Sequence, residues 1–69
     1  MMQYSFYATV RDASTHRYPT YTLVDAETDQ EAIHKVAVEH EMRVAELEPD
    51  GVRMEMKDGA LVKYDVSLA

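Results

Sequence analysis

The strongest constraint on the fold of this chain is the periodicity of its apolar residues. One segment has the period of a helix, and it lies between segments that have the period of strands. Residues 2–10 alternate apolar and polar side chains without interruption, which is the period of a half-buried strand. Residues 18–24 are rich in Tyr, Thr and Val and predict a second strand. Proline cannot donate to a sheet ladder, so Pro19 places the start of this strand at an edge or at its first residues.

A capping-box pattern predicts where the helix begins. The hydroxyl of Thr28 can accept a hydrogen bond from the backbone three residues later, where Glu31 stands. We expect the helix to span about residues 28–41, with its end left open because neither Gly nor Pro closes it. The following side chains recur at steps of three and four residues and form one helical face: Ala32, Ile33, Val36, Ala37 and His40.

The last third of the chain predicts three further strands joined by tight turns. These strands are residues 44–48, 52–57 and 60–68. A Pro-Asp-Gly turn at 49–51 separates the first two, and an Asp-Gly pair at 58–59 separates the last two. Asp-Gly between alternating segments is a strong hairpin signal, because glycine accepts the positive φ that such turns require.

Together these elements predict a single α+β domain over residues 1–69. The expected fold is a two-layer ββαβββ arrangement, with one helix packed on a five-stranded antiparallel sheet. Short hairpins and a single crossover through the helix are satisfied by the strand order 2-1-5-4-3. The first and last strands are then neighbours, and the sheet edges are strands 18–24 and 44–48.

Alternation assigns each predicted strand an inner face and an outer face. The predicted inner face contains the following residues: Met2, Tyr4, Phe6, Ala8, Val10, Tyr21, Leu23, Val52, Met54, Met56, Val62, Tyr64, Val66 and Leu68. The predicted outer face contains these residues: Gln3, Ser5, Tyr7, Thr9, Tyr18, Thr20, Thr22, Arg53, Glu55, Lys57, Lys63 and Asp65.

Negative charge is concentrated in one third of the chain. Residues 25–50 hold nine acidic and two basic residues, a net charge of −7, whereas the rest of the chain holds four acidic and five basic residues. Binding to nucleic acid requires a basic surface that contacts phosphates, so we expect no direct nucleic-acid partner. The same charge favours the approach of a protein partner with a basic surface.

Catalytic and metal chemistry find little support in the sequence. His34 and His40 are six residues apart on the predicted helix and do not share a face as an i, i+4 pair would. Ser14, Thr15 and His16 are adjacent in a loop, a spacing that rarely gives the geometry of a catalytic triad. Both glycines stand in turns and cannot form a phosphate-binding loop. We therefore expect no enzyme, no cofactor and no metal site.

The expected compartment is the cytoplasm of a bacterial host. The chain has no cysteine, which fits a reducing environment. No apolar run approaches the roughly 18 residues that a membrane-spanning helix needs, and the N-terminus has no apolar signal core. We therefore expect no membrane partner.

Two surfaces remain as candidates for binding a protein, and for each the alternative is an ordinary solvated face. The first is the open sheet face, where Tyr7 and Tyr18 stand among small polar groups, a composition that suits an interface. The second, here called the acidic belt, follows the predicted helix and the next strand and could imitate a phosphate backbone. Its members are Glu27, Asp29, Glu31, Glu39, Glu41, Glu46, Glu48 and Asp50.

In size, acidity and element order the chain resembles the small phage proteins that inhibit CRISPR systems. This resemblance implies a partner such as a Cas protein or complex. Separately, YTLVDAETDQEAIHKVAVEH is similar to the strand–cap–helix segment of HicB-like antitoxins, whose helix opens with Thr-x-x-Glu-Ala, here Thr28, Glu31 and Ala32. The DNA-binding segment that those antitoxins usually carry is missing. Both resemblances imply a small acidic protein that occludes a basic, nucleic-acid-handling partner.

The function expected from the sequence is therefore that of a non-enzymatic inhibitor, an acidic nucleic-acid mimic of the anti-CRISPR type. Alternatives are an antitoxin-like partner of a ribonuclease toxin, or a structural or regulatory module that associates with itself. A homodimer would form through strand 18–24, which carries no charge between Tyr18 and Val24. The other edge is protected by Glu46, Glu48 and Pro49, as strand edges often are.

Overall fold

The computed structural model describes the backbone of residues 1–11 and 18–69, and all side chains there except those of residues 10 and 11. The predicted loop with its Ser-Thr-His run at 14–16, and the predicted core position of Val10, lie outside the described part of the chain. The elements follow one another in this order: β1 (Met2–Arg11), β2 (Tyr21–Ala26), α1 (Asp29–Glu39), β3 (Arg43–Glu48), β4 (Gly51–Glu55) and β5 (Leu61–Leu68).

The sheet has the predicted topology. Its strand order is β2-β1-β5-β4-β3, and every neighbouring pair is antiparallel. The helix α1 packs on one face, so the two-layer α+β fold with one helix on a five-stranded sheet is confirmed. The edges are β2 and β3, as predicted. The face of the sheet away from α1 is called the open face below.

The core lies between α1 and the sheet and is centred on Phe6 and Tyr64. Both side chains are fully buried, and their rings meet edge to face with centroids 6.0 Å apart. The Tyr64 hydroxyl donates a hydrogen bond to the Pro19 carbonyl oxygen at 2.8 Å. Burial, reinforced by the nearby Tyr18, raises the pKa of Tyr64 to about 12, so this donor keeps its proton at neutral pH. The other core side chains are Tyr4, Ala8, Ala26, Ala32, Ile33, Val36, Ala37, Met42, Val52, Met54 and Val62.

The predicted faces of the second strand are wrong. This strand begins and ends later than predicted, and Thr22, not Tyr21 or Leu23, lies opposite Phe6. Tyr21 is 54% exposed and Leu23 is 45% exposed on the open face. Because side chains alternate, a shift of one residue moves every side chain of a strand to the other face. Thr22 accordingly faces the helix layer, and Tyr18 precedes the strand and packs half-buried against the core.

Two predicted core positions at strand ends are exposed. Met2 is 44% exposed and Leu68 is 62% exposed, although both lie on the inner face. The reason is length: a helix of 11 residues is about 16 Å long, whereas the 10 residues of β1 span about 33 Å. The helix therefore covers the middle of the sheet and leaves the ends of its inner face open. Lys57, predicted on the outer face of a strand, lies in the turn beyond β4.

The helix ends in a Schellman motif that contains no glycine. The Met42 N–H donates to the Ala37 carbonyl oxygen at 2.8 Å, and the Glu41 N–H donates to the Val38 carbonyl oxygen at 3.3 Å. Glu41 has φ 56°, the left-handed conformation that glycine usually supplies at this position. The sequence did not predict where the helix ends, because the residue in the left-handed conformation is Glu41 and not a glycine.

Replacing Phe6 by Ala should remove most of the stability of the fold. Truncating a large buried aromatic side chain costs about 3–5 kcal/mol, which approaches the whole free energy of unfolding of a domain this small. Thermal unfolding followed by circular dichroism should show a largely unfolded protein at 37 °C. Tyr7→Ala is the matched control, because Tyr7 is the next residue and is 59% exposed. A Phe6→Ala variant that melts cooperatively near the wild-type temperature would contradict this core.

Candidate protein-interaction surfaces

Glu31 in the acidic belt has a structural role at the start of α1. The Glu31 N–H donates to the Thr28 Oγ1 at 3.1 Å, which is the predicted cap. In return, Glu31 Oε1 accepts from the Glu27 N–H at 2.8 Å, one residue before the cap itself. Lys35 Nζ lies 3.8 Å from the Glu31 carboxylate and donates to the Asp25 carbonyl oxygen at 2.7 Å. The Glu31 carboxylate is thus engaged by its own helix.

Among the described residues, other carboxylates of the helix layer have no lysine or arginine partner. Glu27 lies 4.0 Å from the N-terminal ammonium, and Glu39 lies 3.6 Å from His40. Asp29, in the first turn of α1, makes no ion pair with any residue in the described part of the chain. All three side chains are exposed. We call Glu27, Asp29 and Glu39 the helix carboxylates.

Glu41 has a lysine partner, but the pair is exposed to solvent. It lies just beyond the C-terminal end of α1, and Lys57 Nζ donates to its carboxylate at 2.7 Å. This hydrogen bond, together with the charge of Lys57, lowers the pKa of the Glu41 carboxyl group from its ordinary value. Both side chains are exposed, so water and salt weaken the pair and leave part of the negative charge visible to a partner.

The remaining members of the belt lie on the other layer of the molecule. Glu46 lies opposite Arg53, and Glu48 lies opposite Gly51, so both side chains belong to the open face. An irregularity in the pairing after Val44 shifts the register within β3. The eight predicted carboxylates therefore do not form one continuous belt, because the helix covers the face opposite to the one where β3 presents its acids.

Two of these acids, Glu48 and Asp50, are matched by bases, whereas Glu46 makes no ion pair with any residue that the structure describes. The Glu48 carboxylate lies 3.2 Å from Arg53 and 3.2 Å from Lys63, and Asp50 lies 3.5 Å from Lys63. Lys63 and, to a smaller extent, Arg53 lower the pKa of Glu48, while partial desolvation opposes them. Glu48 in turn raises the pKa of Lys63. This cluster is called the sheet ion network, and it neutralises charge that the sequence alone assigns to an acidic surface.

Gly51 lies opposite Glu48 on β4, the strand that the Glu48–Lys63 ion pair crosses. Glu48 is on β3 and Lys63 is on β5, so their side chains meet across β4, where Gly51 presents no side chain. A Cβ at Gly51 would lie 1.9 Å from the Tyr64 carbonyl oxygen, so no larger residue fits there without moving the backbone. The sequence explains this glycine as a turn residue, but the close approach of β4 to β5 also requires it.

An aromatic pair occupies the other end of the open face. Tyr7 is 59% exposed and Tyr21 is 54% exposed, and their rings meet edge to face with centroids 6.4 Å apart. Leu23 extends this apolar strip along β2. Sequence reasoning predicted Tyr7 here but missed Tyr21 and Leu23, and it placed Tyr18 here instead. Asp25 is the signal that could have corrected the register, because a charged residue within the strand must face solvent.

A shallow apolar groove runs between α1 and β3. It has a volume of about 290 Å³ and is lined by Gln30, Ile33, His34, Val44 and Leu47. Leu47 is 58% exposed at its rim. The helix packs closer to β2 than to β3, which leaves this side of the core thinly covered. Nothing in the described chain specifies what would fill the groove.

The described residues, 1–11 and 18–69, contain neither a cluster of metal ligands nor a membrane-spanning helix. No three His, Asp or Glu side chains converge there on a point that could hold a metal ion. The described chain contains no helix that is long and apolar enough to cross a membrane.

Comparisons with known proteins do not assign the chain to a family. No protein-family model matches it, and no curated protein or solved structure matches it either. The resemblances to anti-CRISPR proteins and to HicB-like antitoxins therefore stay predictions.

The sheet ion network should make stability depend on pH in the acid range. The folded-state pKa of Glu48 is lowered, so its contribution is present above the ordinary pKa of about 4.5 and is lost as pH falls through the lowered value. Urea unfolding at pH 7 and pH 3 should therefore show that Glu48→Gln loses stability mainly at pH 7. Glu46→Gln is the matched control on the same strand and face. Equal losses at both pH values would contradict the assigned ion pairs.

Proposed function

We propose that this protein is a non-enzymatic inhibitor whose helix carboxylates dock against a basic surface of a nucleic-acid-handling protein or complex. Occupying that surface would exclude the nucleic acid that normally binds there, in the manner of an anti-CRISPR protein. The inhibitor would act in the cytoplasm of a bacterial host, with a Cas protein or complex as the leading candidate partner. The site is narrower than the predicted belt, because it excludes the acids of the sheet ion network.

The observation that carries this proposal is that three exposed carboxylates of the helix layer stand without a lysine or arginine partner. On the open face, Glu48 and Asp50 lie within 3.5 Å of basic side chains, and Arg43 pairs with Glu55. Within the described part of the chain, Glu27, Asp29 and Glu39 have no such bases, and all three side chains are exposed. The helix layer therefore presents uncompensated negative charge to solvent.

Carboxylates on a rigid helix are suited to a surface that normally binds phosphates. Asp29 and Glu39 are ten residues apart and thus about 15 Å apart along the helix axis. Lysine and arginine side chains that contact successive phosphates can pair with carboxylates in their place. Long-range attraction between the two charged surfaces would accelerate association before any contact is made.

The antitoxin alternative uses the same chemistry on a different partner. A ribonuclease toxin also presents a basic surface to its RNA substrate, so the helix carboxylates could cover it equally well. The two candidates differ in the activity that the protein should block. Interference assays with CRISPR-bearing hosts test the first, and RNA cleavage by a co-expressed toxin tests the second.

The proposed function can be tested in cells before the partner is known. Phage plaquing should be measured on bacterial strains with active CRISPR immunity, each strain with and without the protein. We expect the protein to restore plaquing on at least one strain, and Asp29→Lys/Glu39→Lys to abolish this rescue. Failure to rescue on every strain, together with failure to block any ribonuclease toxin tested, would contradict the proposal.

Charge reversal should then slow association with the identified partner. Asp29→Lys/Glu39→Lys should lower the association rate constant roughly 10-fold or more at low salt, since steering governs encounter. The difference should shrink as salt shortens the screening length to about 8 Å at physiological ionic strength. Surface plasmon resonance at two salt concentrations measures both effects.

Glu46→Lys provides the matched control for position. Paired with a single Glu39→Lys variant, it makes the same change in net charge, but on the open face. Both glutamates are exposed, so both variants should stay folded. If Glu39→Lys and Glu46→Lys slow association equally, only net charge matters and the helix carboxylates are not the docking site.

A further inference from the structure

The two edges of the sheet differ in how well they are protected from another strand. The edge strand β3 carries Glu46 and Glu48 and has an irregular register against β4. Charges and bulges of this kind discourage pairing with a further strand. The edge strand β2 is uncharged from Tyr21 to Val24, and its pairing with β1 is regular throughout. The edge that is open to a partner strand is therefore β2.

The backbone pairing of β2 shows which of its polar groups point outward. The Ala8 N–H donates to the Thr20 carbonyl oxygen at 2.9 Å, which makes these two residues a hydrogen-bonded pair. In an antiparallel ladder such pairs alternate, so the backbone groups of Thr22 and Val24 also point toward β1. Those of Tyr21, Leu23 and Asp25 consequently point away from the sheet.

Part of this outer row is already satisfied. Lys35 Nζ donates to the Asp25 carbonyl oxygen at 2.7 Å, which closes the end of β2 next to the helix. Within the described part of the chain, the N–H and C=O groups of Tyr21 and Leu23 have no hydrogen-bond partner. These four groups form a short ladder that another extended segment can complete.

We propose that two copies of this chain pair through β2, antiparallel about a two-fold axis at Thr22. Tyr21 of each copy then lies opposite Leu23 of the other, and four backbone hydrogen bonds complete both outer rows. A register with Leu23 opposite itself would bring the Tyr21 N–H to the Asp25 carbonyl oxygen, where it would compete with the ammonium group of Lys35. The symmetric pairing is isologous, so the same residues serve both copies.

Side chains support the same register on both faces. On the open face, each Tyr21–Leu23 contact between copies continues the apolar strip that begins at Tyr7. On the helix side, the two Thr22 residues form a non-hydrogen-bonded pair, in which side chains approach closely and Thr–Thr contacts are favourable. The two Asp25 side chains lie about 20 Å apart along the strands, so they repel each other weakly.

The dimer has a consequence for the helix layer. A two-fold axis perpendicular to a continuous sheet places both α1 helices on the same side. The helix carboxylates of two copies then form a doubled acidic surface, which can engage a dimeric or elongated basic partner at two points. The dimer itself rests on β2 alone and holds whether or not the proposed inhibitor function does.

The strength of the dimer should be modest and should increase with salt. Its interface is smaller than the roughly 800 Å² per partner that stable complexes bury, so we expect dissociation constants in the micromolar range or weaker. Each copy carries a formal charge of −6, and screening of that repulsion should favour association. Binding of a basic partner should show the opposite dependence on salt.

Sedimentation of the full chain over about 10–500 µM, at low and high salt, tests the association. We expect a monomer–dimer equilibrium that Leu23→Lys abolishes. Leu47→Lys is the matched control, because Leu47 is an exposed leucine on the opposite edge strand. A strict monomer at every concentration, or equal loss in both variants, would overturn the proposal.

The register is tested by disulfide trapping, which is unambiguous because the chain has no cysteine of its own. In the proposed register the Cα atoms of Thr22 in the two copies lie about 4.5 Å apart, within the range that a disulfide spans. The Cα atoms of Leu23 in the two copies lie diagonally, at about 8 Å, and are too far apart. Thr22→Cys should therefore give a covalent dimer under mild oxidation, and Leu23→Cys should not. Faster trapping of Leu23→Cys would overturn the register.

Discussion

The rest of this structure depends on the position of β1 between two neighbouring strands. Because β1 pairs with β2 on one side and with β5 on the other, the alternation of its side chains sets the two faces of three strands at once. Phe6 points into the core, where it meets Tyr64, and Tyr7 points to the open face, where it meets Tyr21. One buried aromatic contact and one exposed aromatic contact thus follow from two adjacent residues.

The same alternation determines which acidic side chains lie close to basic ones. Glu48 of β3 and Asp50 of the following turn lie on the side of the open face, where Arg53 and Lys63 alternate with buried residues of β4 and β5 and pair with them. The helix lies on the other face and contributes no comparable set of bases. The proposed docking site for a basic partner and the proposed edge for a second copy therefore occupy different parts of the fold.

Sequence patterns predicted the element order, the strand order and the burial of Phe6, because these depend on local periodicity and short turns. They were wrong about β2, because Pro19 suggested an earlier start for this strand. The predicted strand therefore ended before Asp25, whose charge requires a position that faces solvent. They also joined Glu39 and Glu48 into one belt, although the two lie on different layers. Ion pairs such as Glu48–Lys63 cross a third strand at Gly51, and only the register reveals them.

The register of β2 against β1 is the central claim, and proton NMR tests it directly. Non-hydrogen-bonded antiparallel pairs have Cα atoms about 4.5 Å apart and give strong Hα–Hα Overhauser effects. We predict such effects between Tyr7 and Tyr21 and between Ser5 and Leu23. Overhauser effects that instead connect Phe6 with Tyr21 or with Leu23 would place the side chains of Tyr21 and Leu23 in the core. That result would contradict the exposed apolar strip and the pairing of two copies through β2.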